Sequence, residues 1–351
     1  MSTFIQLHLL TSYPPSNLNR DDLGRPKTAI MGGKTRIRVS SQSLKRAWRT
    51  SDLFAEAMKG HVGIRTKAMG VEVYNVLKGK GVADDQAKKW AKQIAAVFGK
   101  CKNAIAAKPL EELEIEQLAH FSPEEKAAIF ALVDKLASGT AAPIDSELVL
   151  LQKKHTAVDI AMFGRMLASS PAYNTEAAVQ VAHAITVHDV AVEDDYFTAV
   201  DDLNSGEEDL GAGHIGETEF AAGLFYLYLC INRDLLIENL GGDRELANKA
   251  LASLVEAAAK VAPNGKQNSF ASRAYASYIL VEKGEQQPRS LSVAYLKPVR
   301  GEDVLGKAIT EIETKRANME KTYGKCADTT KTMNAETGEG SLNDIISFVK
   351  E

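Results

Sequence analysis

From Phe4 to Leu10 the chain alternates, with Phe4, Gln6 and His8 set against Ile5, Leu7 and Leu9, the period of a half-buried strand. Tyr13-Pro14-Pro15-Ser16-Asn17 ends that strand, and a polar loop with Gly24, Pro26, Gly32 and Gly33 follows. Between Lys34 and Val39 every second residue is basic. A strand there sets Lys34, Arg36 and Arg38 on one face and Thr35, Ile37 and Val39 on the other. Ser40-Ser41-Gln42-Ser43 then offers N-cap hydroxyls to a helix through Leu44, Ala47 and Trp48, with Lys45, Arg46 and Arg49 on adjoining faces.

Residues 83–137 have helical spacing (Trp90, Ile94, Val97; Ile129, Leu132, Leu136), broken near Pro109 and Pro123, and read as a helical insertion. Ser138–Pro143 has linker composition, and Asp159–Met166 is a short apolar segment ending in an exposed Arg165–Met166 pair. Val179–Val187 and Phe220–Ile231 read as strands. The glycine-containing acidic stretch between them reads as a long protruding hairpin or loop with Tyr196, Phe197 and Ile215 embedded. Arg244–Val261 is an amphipathic helix, Pro263–Asn268 a loop, Ala274–Val281 a strand and Leu305–Met319 a helix, before a polar tail beyond Thr329. This order predicts an α+β domain rather than a doubly wound sheet.

The length of 351 residues, with 45% apolar and 25% charged residues, is that of one large or two ordinary globular domains. No apolar run is long enough for a membrane span, and the N-terminus reads as a strand rather than a signal peptide, so a cytoplasmic protein is expected. Three cysteines, Cys101, Cys230 and Cys326, without CxxC spacing argue against a disulfide framework or a zinc site. The net charge of −4 conceals two opposed blocks. Nine Lys or Arg face only Asp21 and Asp22 within residues 1–50, whereas Glu193–Glu219 holds ten acids and no Lys or Arg. One block suits a polyanion and the other a basic partner.

Gly33-Lys34-Thr35 is not a phosphate-binding loop, because that motif needs glycine where Thr28 stands. His183 and His188 lack the glutamate of HExxH, and His155/Asp159 is an isolated helical i,i+4 pair; no metal or cofactor is expected. Asp194, Asp195, Asp201 and Asp202 keep a metal-dependent ribonuclease as the alternative. The Arg20–Arg49 segment combines spaced cations, a helix start and small-residue loops, which are the means of holding a nucleic-acid backbone.

The segments Asn17–Asp22 and Ala29–Ala47 closely resemble the CasC-type backbone subunit of the type I-E CRISPR Cascade complex. Asp159-Ile160-Ala161 with Gly164-Arg165-Met166, Ala182–Thr186, Phe197–Leu203, His214-Ile215-Gly216 and Glu238–Gly242 are similar to that family in the same order. The resemblance runs from Ser2 to about Lys297 and weakens in the helical insertion and beyond residue 300.

That resemblance implies an RRM-like (ferredoxin-like) palm formed by residues 1–60, 140–190 and 220–351, a helical fingers insertion at 61–139 and a thumb hairpin at 191–219. It implies a non-catalytic scaffold of the RAMP superfamily that polymerises head to tail along CRISPR RNA with other Cascade subunits. It further implies a thumb that kinks the RNA at regular intervals and leaves it open to pair with target DNA in antiviral defence. By motif position the RNA-binding residues are Asn19, Arg20, Lys27, Lys34, Arg36, Arg38, Ser40, Ser41, Gln42, Ser43, Lys45, Arg46, Arg49, Arg165, Met166 and Lys266. Phe197, His214 and Ile215 take the place of the thumb wedge.

Overall fold

The computed structural model describes residues 2–139, 141–199 and 214–351. Its strands are β1 (Phe4–Ser16), β2 (Thr28–Met31), β3 (Lys34–Val39), β4 (Ile64–Thr66), β5 (Ala119–Phe121), β6 (Val179–Val181), β7 (Ala184–Thr186), β8 (Glu193–Ala199), β9 (His214–Asn232), β10 (Ala276–Gly284) and β11 (Thr329–Asn334). Its helices are α1 (Ser41–Arg49), α2 (Asp52–Ala57), α3 (Met69–Gly79), α4 (Asp84–Ala96), α5 (Pro123–Ser138), α6 (Val158–Phe163), α7 (Arg233–Asn239), α8 (Arg244–Lys260), α9 (Gln267–Phe270), α10 (Val304–Tyr323) and α11 (Leu342–Lys350). Two compact units divide the chain: Met1–Phe54 with Gln180–Ile231 and Leu251–Glu351, and Ala55–Val179 with Asn232–Ala250.

The first unit carries a sheet ordered β11-β10-β1-β9-β7-β3-β2, with β6 and β8 also paired to β9. β1 with β10, β10 with β11, β2 with β3, β3 with β7 and β7 with β9 run antiparallel. This is the mixed architecture expected of an α+β chain. Strand β1 departs from its half-buried pattern, because Gln6 and His8 are as buried as Ile5, Leu7 and Leu9. Its polar side chains are satisfied inside the fold. Gln6 Oε1 accepts from Tyr228 Oη at 3.0 Å and from the Arg289 amide at 2.8 Å, while His8 lies between Tyr226 Oη and Glu282. One face of the sheet packs Leu10, Tyr226, Tyr278 and Leu280 against Tyr295, Ala308 and Ile312. Elsewhere in this unit, Leu44 and Trp48 of α1 line a small cavity with Val39, Phe225 and Ala258.

Three further expectations change. The predicted Val179–Val187 strand is two short strands, the Pro263–Asn268 loop includes the start of α9, and the polar tail forms β11 and α11. Ile345 and Val349 anchor α11, both fully covered, and Lys283 lies over the Phe348 ring.

In the second unit α3, α4 and α5 surround a core of Val73, Trp90, Ile94, Phe121, Ile129 and Leu136, beside the antiparallel pair β4–β5. Helix α5 starts on a reciprocal cap, with Ser122 Oγ accepting from the Glu125 amide at 3.1 Å and Glu125 Oε2 from the Ser122 amide at 3.0 Å, and with Pro123 in the first turn. The linker-like Ser138–Pro143 segment lies within this unit. His155 precedes α6 rather than sharing it with Asp159. The Asp159 carboxylate instead meets His120 Nε2 at 2.8 Å and the Gly63 amide at 2.8 Å. No described helix is long and apolar enough to cross a membrane.

Candidate nucleic-acid interface

The loop after β1 is pinned from several sides. Asn17 Nδ2 donates to the Gly24 and Glu219 carbonyls, both at 2.9 Å, and Asp21 Oδ1 accepts from the Leu23 and Arg25 amides. Asn19 joins this loop to the next elements: its Oδ1 accepts from the Ser40 amide at 2.8 Å and its carbonyl from the Lys27 amide at 2.9 Å. Arg20 is thereby held exposed, and Arg25 pairs with Glu219 at 2.9 Å at the foot of the β8–β9 hairpin. Lys266 approaches the same foot, with its Nζ donating to Thr218 Oγ1. Its neighbour Gly265 lies so close to the Asn17 and Leu18 carbonyls that a Cβ would sit 2.4 Å from each.

Gly32 and Gly33 form the two-residue turn between β2 and β3, with φ of +59° and +71° and Met31 paired to Lys34. Both residues in the left-handed region make the turn type that matches strand twist. The glycines therefore serve a hairpin, not a phosphate loop. A Cβ on Gly32 would lie 1.8 Å from the Leu296 carbonyl oxygen.

The three alternating cations of β3 have different fates. Lys34 is exposed and Arg38 half-buried, but Arg36 is fully buried. Its Nη1 donates to the Thr186 carbonyl and its Nη2 to the Tyr295 carbonyl, each at 2.9 Å, so Arg36 is a strut inside the fold and not a surface cation. The segment around Tyr295 covers this side of β3, which a strand period cannot reveal.

Ser40 caps α1 as its spacing predicts, with Oγ 3.3 Å from the Ser43 amide. Ser40 and Ser41 are buried, with the Ser40 side chain given to the helix start, whereas Gln42 and Arg46 are exposed and Ser43, Lys45 and Arg49 half-buried. The buried stripe Leu44, Ala47 and Trp48 is what turns Gln42 and Arg46 outward. One exposed residue beside this surface, weighed in the sequence only as a metal ligand and not as part of the interface, is His183, whose Nδ1 lies 2.7 Å from Arg38 Nη1. Burial, together with the charges of Arg38 and Lys27, lowers its imidazole below the ordinary value.

The hairpin register separates the wedge residues. Phe197 pairs with Gly216, and Thr198 with Ile215, so Phe197 and Ile215 project from opposite faces of the ribbon. The Phe197 ring lies across Gly216, where a Cβ would stand 2.3 Å from Cζ. Ile215 shares its face with Tyr196, which is 65% exposed, and with Asp194, Glu217 and Glu219. His214 begins β9 and pairs with Ala199. Asp194 and Asp195 also fall on opposite faces and do not converge on one ion; Asp201 and Asp202 lie outside the described residues. Among the described residues no cluster of His, Cys, Asp and Glu is arranged to hold a metal.

In the second unit the expected exposed Arg165–Met166 pair splits. Met166 is 77% exposed at an open cleft of about 190 Å³ lined by Phe98, Lys100 and Leu118. Arg165 is buried, because Glu125 and the carbonyls of His120, Gln152 and Tyr173 take up its guanidinium.

The profile of the CT1975-like protein family matches residues 5–347. The chain belongs to this family. This CT1975-like chain is 30% identical to a chain of a solved CRISPR RNA-guided surveillance complex, pre-nicking, over 99% of each chain with a TM-score of 0.85. A chain of a second CRISPR RNA-guided surveillance complex is 25% identical over 99% of each, with a TM-score of 0.72. Both bear out the resemblance to a Cascade backbone subunit read from the motifs. No curated protein matches the sequence.

Proposed function

We propose that this chain is a non-catalytic RNA-binding subunit of a cytoplasmic CRISPR ribonucleoprotein, polymerising head to tail along CRISPR RNA beside other Cascade subunits. The observation that carries the reading is the full-length likeness to a surveillance-complex chain, coupled with a first unit that gathers Arg20, Lys34, Arg38, Arg46 and Lys266 on pinned loops and one helix start. Spaced cations on a rigid frame suit a phosphate backbone and leave base edges unread, so sequence specificity passes to base pairing with target DNA.

In this reading residues 1–60, 140–190 and 220–351 form an RRM-like palm, 61–139 the fingers and 191–219 the thumb. Helices α3–α5 fall outside the sheet-bearing unit and β8–β9 pair as an antiparallel ribbon, which supports the fingers and the thumb, while the unit that holds α3–α5 also takes in residues 140–179 and 232–250 of this palm. The thumb kinks the RNA at regular intervals with Phe197 or Ile215 as wedge, and its acidic residues meet the basic palm of the next copy. Such a heterologous contact does not close on itself and therefore propagates.

Co-expression with a CRISPR RNA, sizing of the product and nuclease-protection mapping with and without magnesium test this. A large particle with regularly spaced protection and intact RNA is expected. An RNA-free small species contradicts it, and magnesium-dependent cuts at regular spacing would establish the ribonuclease alternative instead.

A further inference from the structure

His183 lies immediately before β7, one position beyond the last ladder pair, Val39 with Ala184, and so faces Ser40, the cap of α1. Its ring is exposed, and Nδ1 lies 2.7 Å from Arg38 Nη1. A guanidinium has hydrogens to give and no lone pair to offer, so Nδ1 must be the acceptor. The proton of the neutral ring is then on Nε2. Arg38 is itself braced from behind, with Nε 3.5 Å from the Thr28 carbonyl. Lys27 adds its positive charge to the same ring. With Nδ1 and the Thr28 carbonyl taken up by Arg38, the ring Nε2–H, the remaining guanidinium N–H groups and Lys27 leave this corner donors and cations to offer, a set that suits an anion.

We propose that His183 contacts the RNA backbone directly, giving its Nε2–H to the same phosphate that Arg38 engages. This rests on the RNA-binding reading and adds a donor to it. The Arg38 bond fixes both the tautomer and the direction of the ring, so the imidazole acts as a neutral donor with no rotational search left to make. A cationic histidine could not accept from Arg38, and the two would repel.

The test is titration of the full-length chain with a fluorescently labelled single-stranded RNA over a series of salt concentrations. H183A weakens binding roughly tenfold, the size of one hydrogen bond to an anion. It leaves the slope of log affinity against log salt unchanged, since a neutral donor releases no counterion. R38A weakens binding and makes that slope shallower by roughly 0.7, as one lost phosphate contact on a single strand does. H183Q, whose amide N–H reaches the place of Nε2–H, keeps most of the affinity, and H183N, whose shorter amide reaches the place of Nδ1 but not that of Nε2, does not.

Unchanged affinity in H183A overturns the proposal. So does rescue by H183N and not by H183Q, which would make His183 only a support for Arg38, or a shallower salt slope in H183A, which would make it a cation. Wild-type chain without salt-dependent affinity, or R38A and R46A without effect, defeats the RNA-binding reading itself. That result is distinguishable from a failure confined to the His183 variants.

Discussion

Arg165 donates to Glu125 at 2.7 Å, with 1% of one side chain and none of the other open to solvent. The carboxylate also accepts from the Ser122 and Gln152 amides, and the guanidinium from its side reaches three carbonyls. The pair therefore fastens the start of α5 to the chain on either side of Arg165. Removing one partner leaves the other charged and buried, which costs about 3–5 kcal/mol. R165A is expected to lower the unfolding free energy from denaturant titration by that amount, and R165K to recover little of it, since one ammonium cannot replace a four-way fork. An R165A chain as stable as wild type contradicts this account.

Arg36 and Lys34 stand two residues apart and are expected to behave oppositely. R36A strands the Thr186 and Tyr295 carbonyls and leaves a void, for a loss of about 2–4 kcal/mol in chemical denaturation. K34A changes stability by less than about 0.5 kcal/mol. Its effect falls on RNA binding, as a shallower salt dependence. Equal melting of the two variants would show the cations of β3 to be equivalent after all.

Gly216 seats the Phe197 ring. In G216A the new Cβ displaces the end of a flexible side chain on an exposed ribbon, so thermal stability is expected to stay near wild type. Nuclease protection of the bound RNA is expected to lose its regularity if Phe197 is the wedge. Retention of the full pattern in G216A would assign that part to the opposite face, to Ile215 and Tyr196.

Acid stability is expected to fall in two stages. Burial holds the His8 imidazole below its ordinary 6.5, against the opposing pull of Glu282. The unfolded chain therefore binds this proton first, and stability declines as pH drops below about 6.5. Burial alone would raise Glu282, but its hydrogen bonds from His8 and Arg289 hold it down to about 2 from 4.5. A second decline follows from pH 4.5 towards 2 as the unfolded state protonates first. Denaturant midpoints measured across pH check both stages, and H8Q is expected to lack the first. A flat profile between about pH 7 and 5 would sink the assignment.

What the sequence made legible follows local periodicity. The stripe of Leu44, Ala47 and Trp48, the cap at Ser40, the Gly32-Gly33 break and the long strand through Phe220–Ile231 all depend on near neighbours, and each is where its pattern predicts. The misreadings share another cause. His8, Arg36 and Arg165 are polar residues whose partners lie far along the chain, at Glu282, Tyr295 and Glu125. Polarity alone assigned them to the surface, and nothing local could pair them. The tail beyond Thr329 shows only polarity in the sequence for a related reason: β11 gains its order from pairing with β10, and α11 from burying Ile345 and Val349. His183 is weighed in the sequence only against a metal, because its place beside Arg38, on a strand 145 residues earlier, has no local signal.

The β8–β9 ribbon obeys a parity rule. Because its two sides differ, with Phe197 over Gly216 on one and Tyr196 with Ile215 among acids on the other, inserting a single residue into either arm exchanges the sides beyond that point. Inserting two restores them. The length of this arm can thus be altered in even steps while its chirality of contact is kept, whereas any odd step hands the aromatic ring to the wrong neighbour.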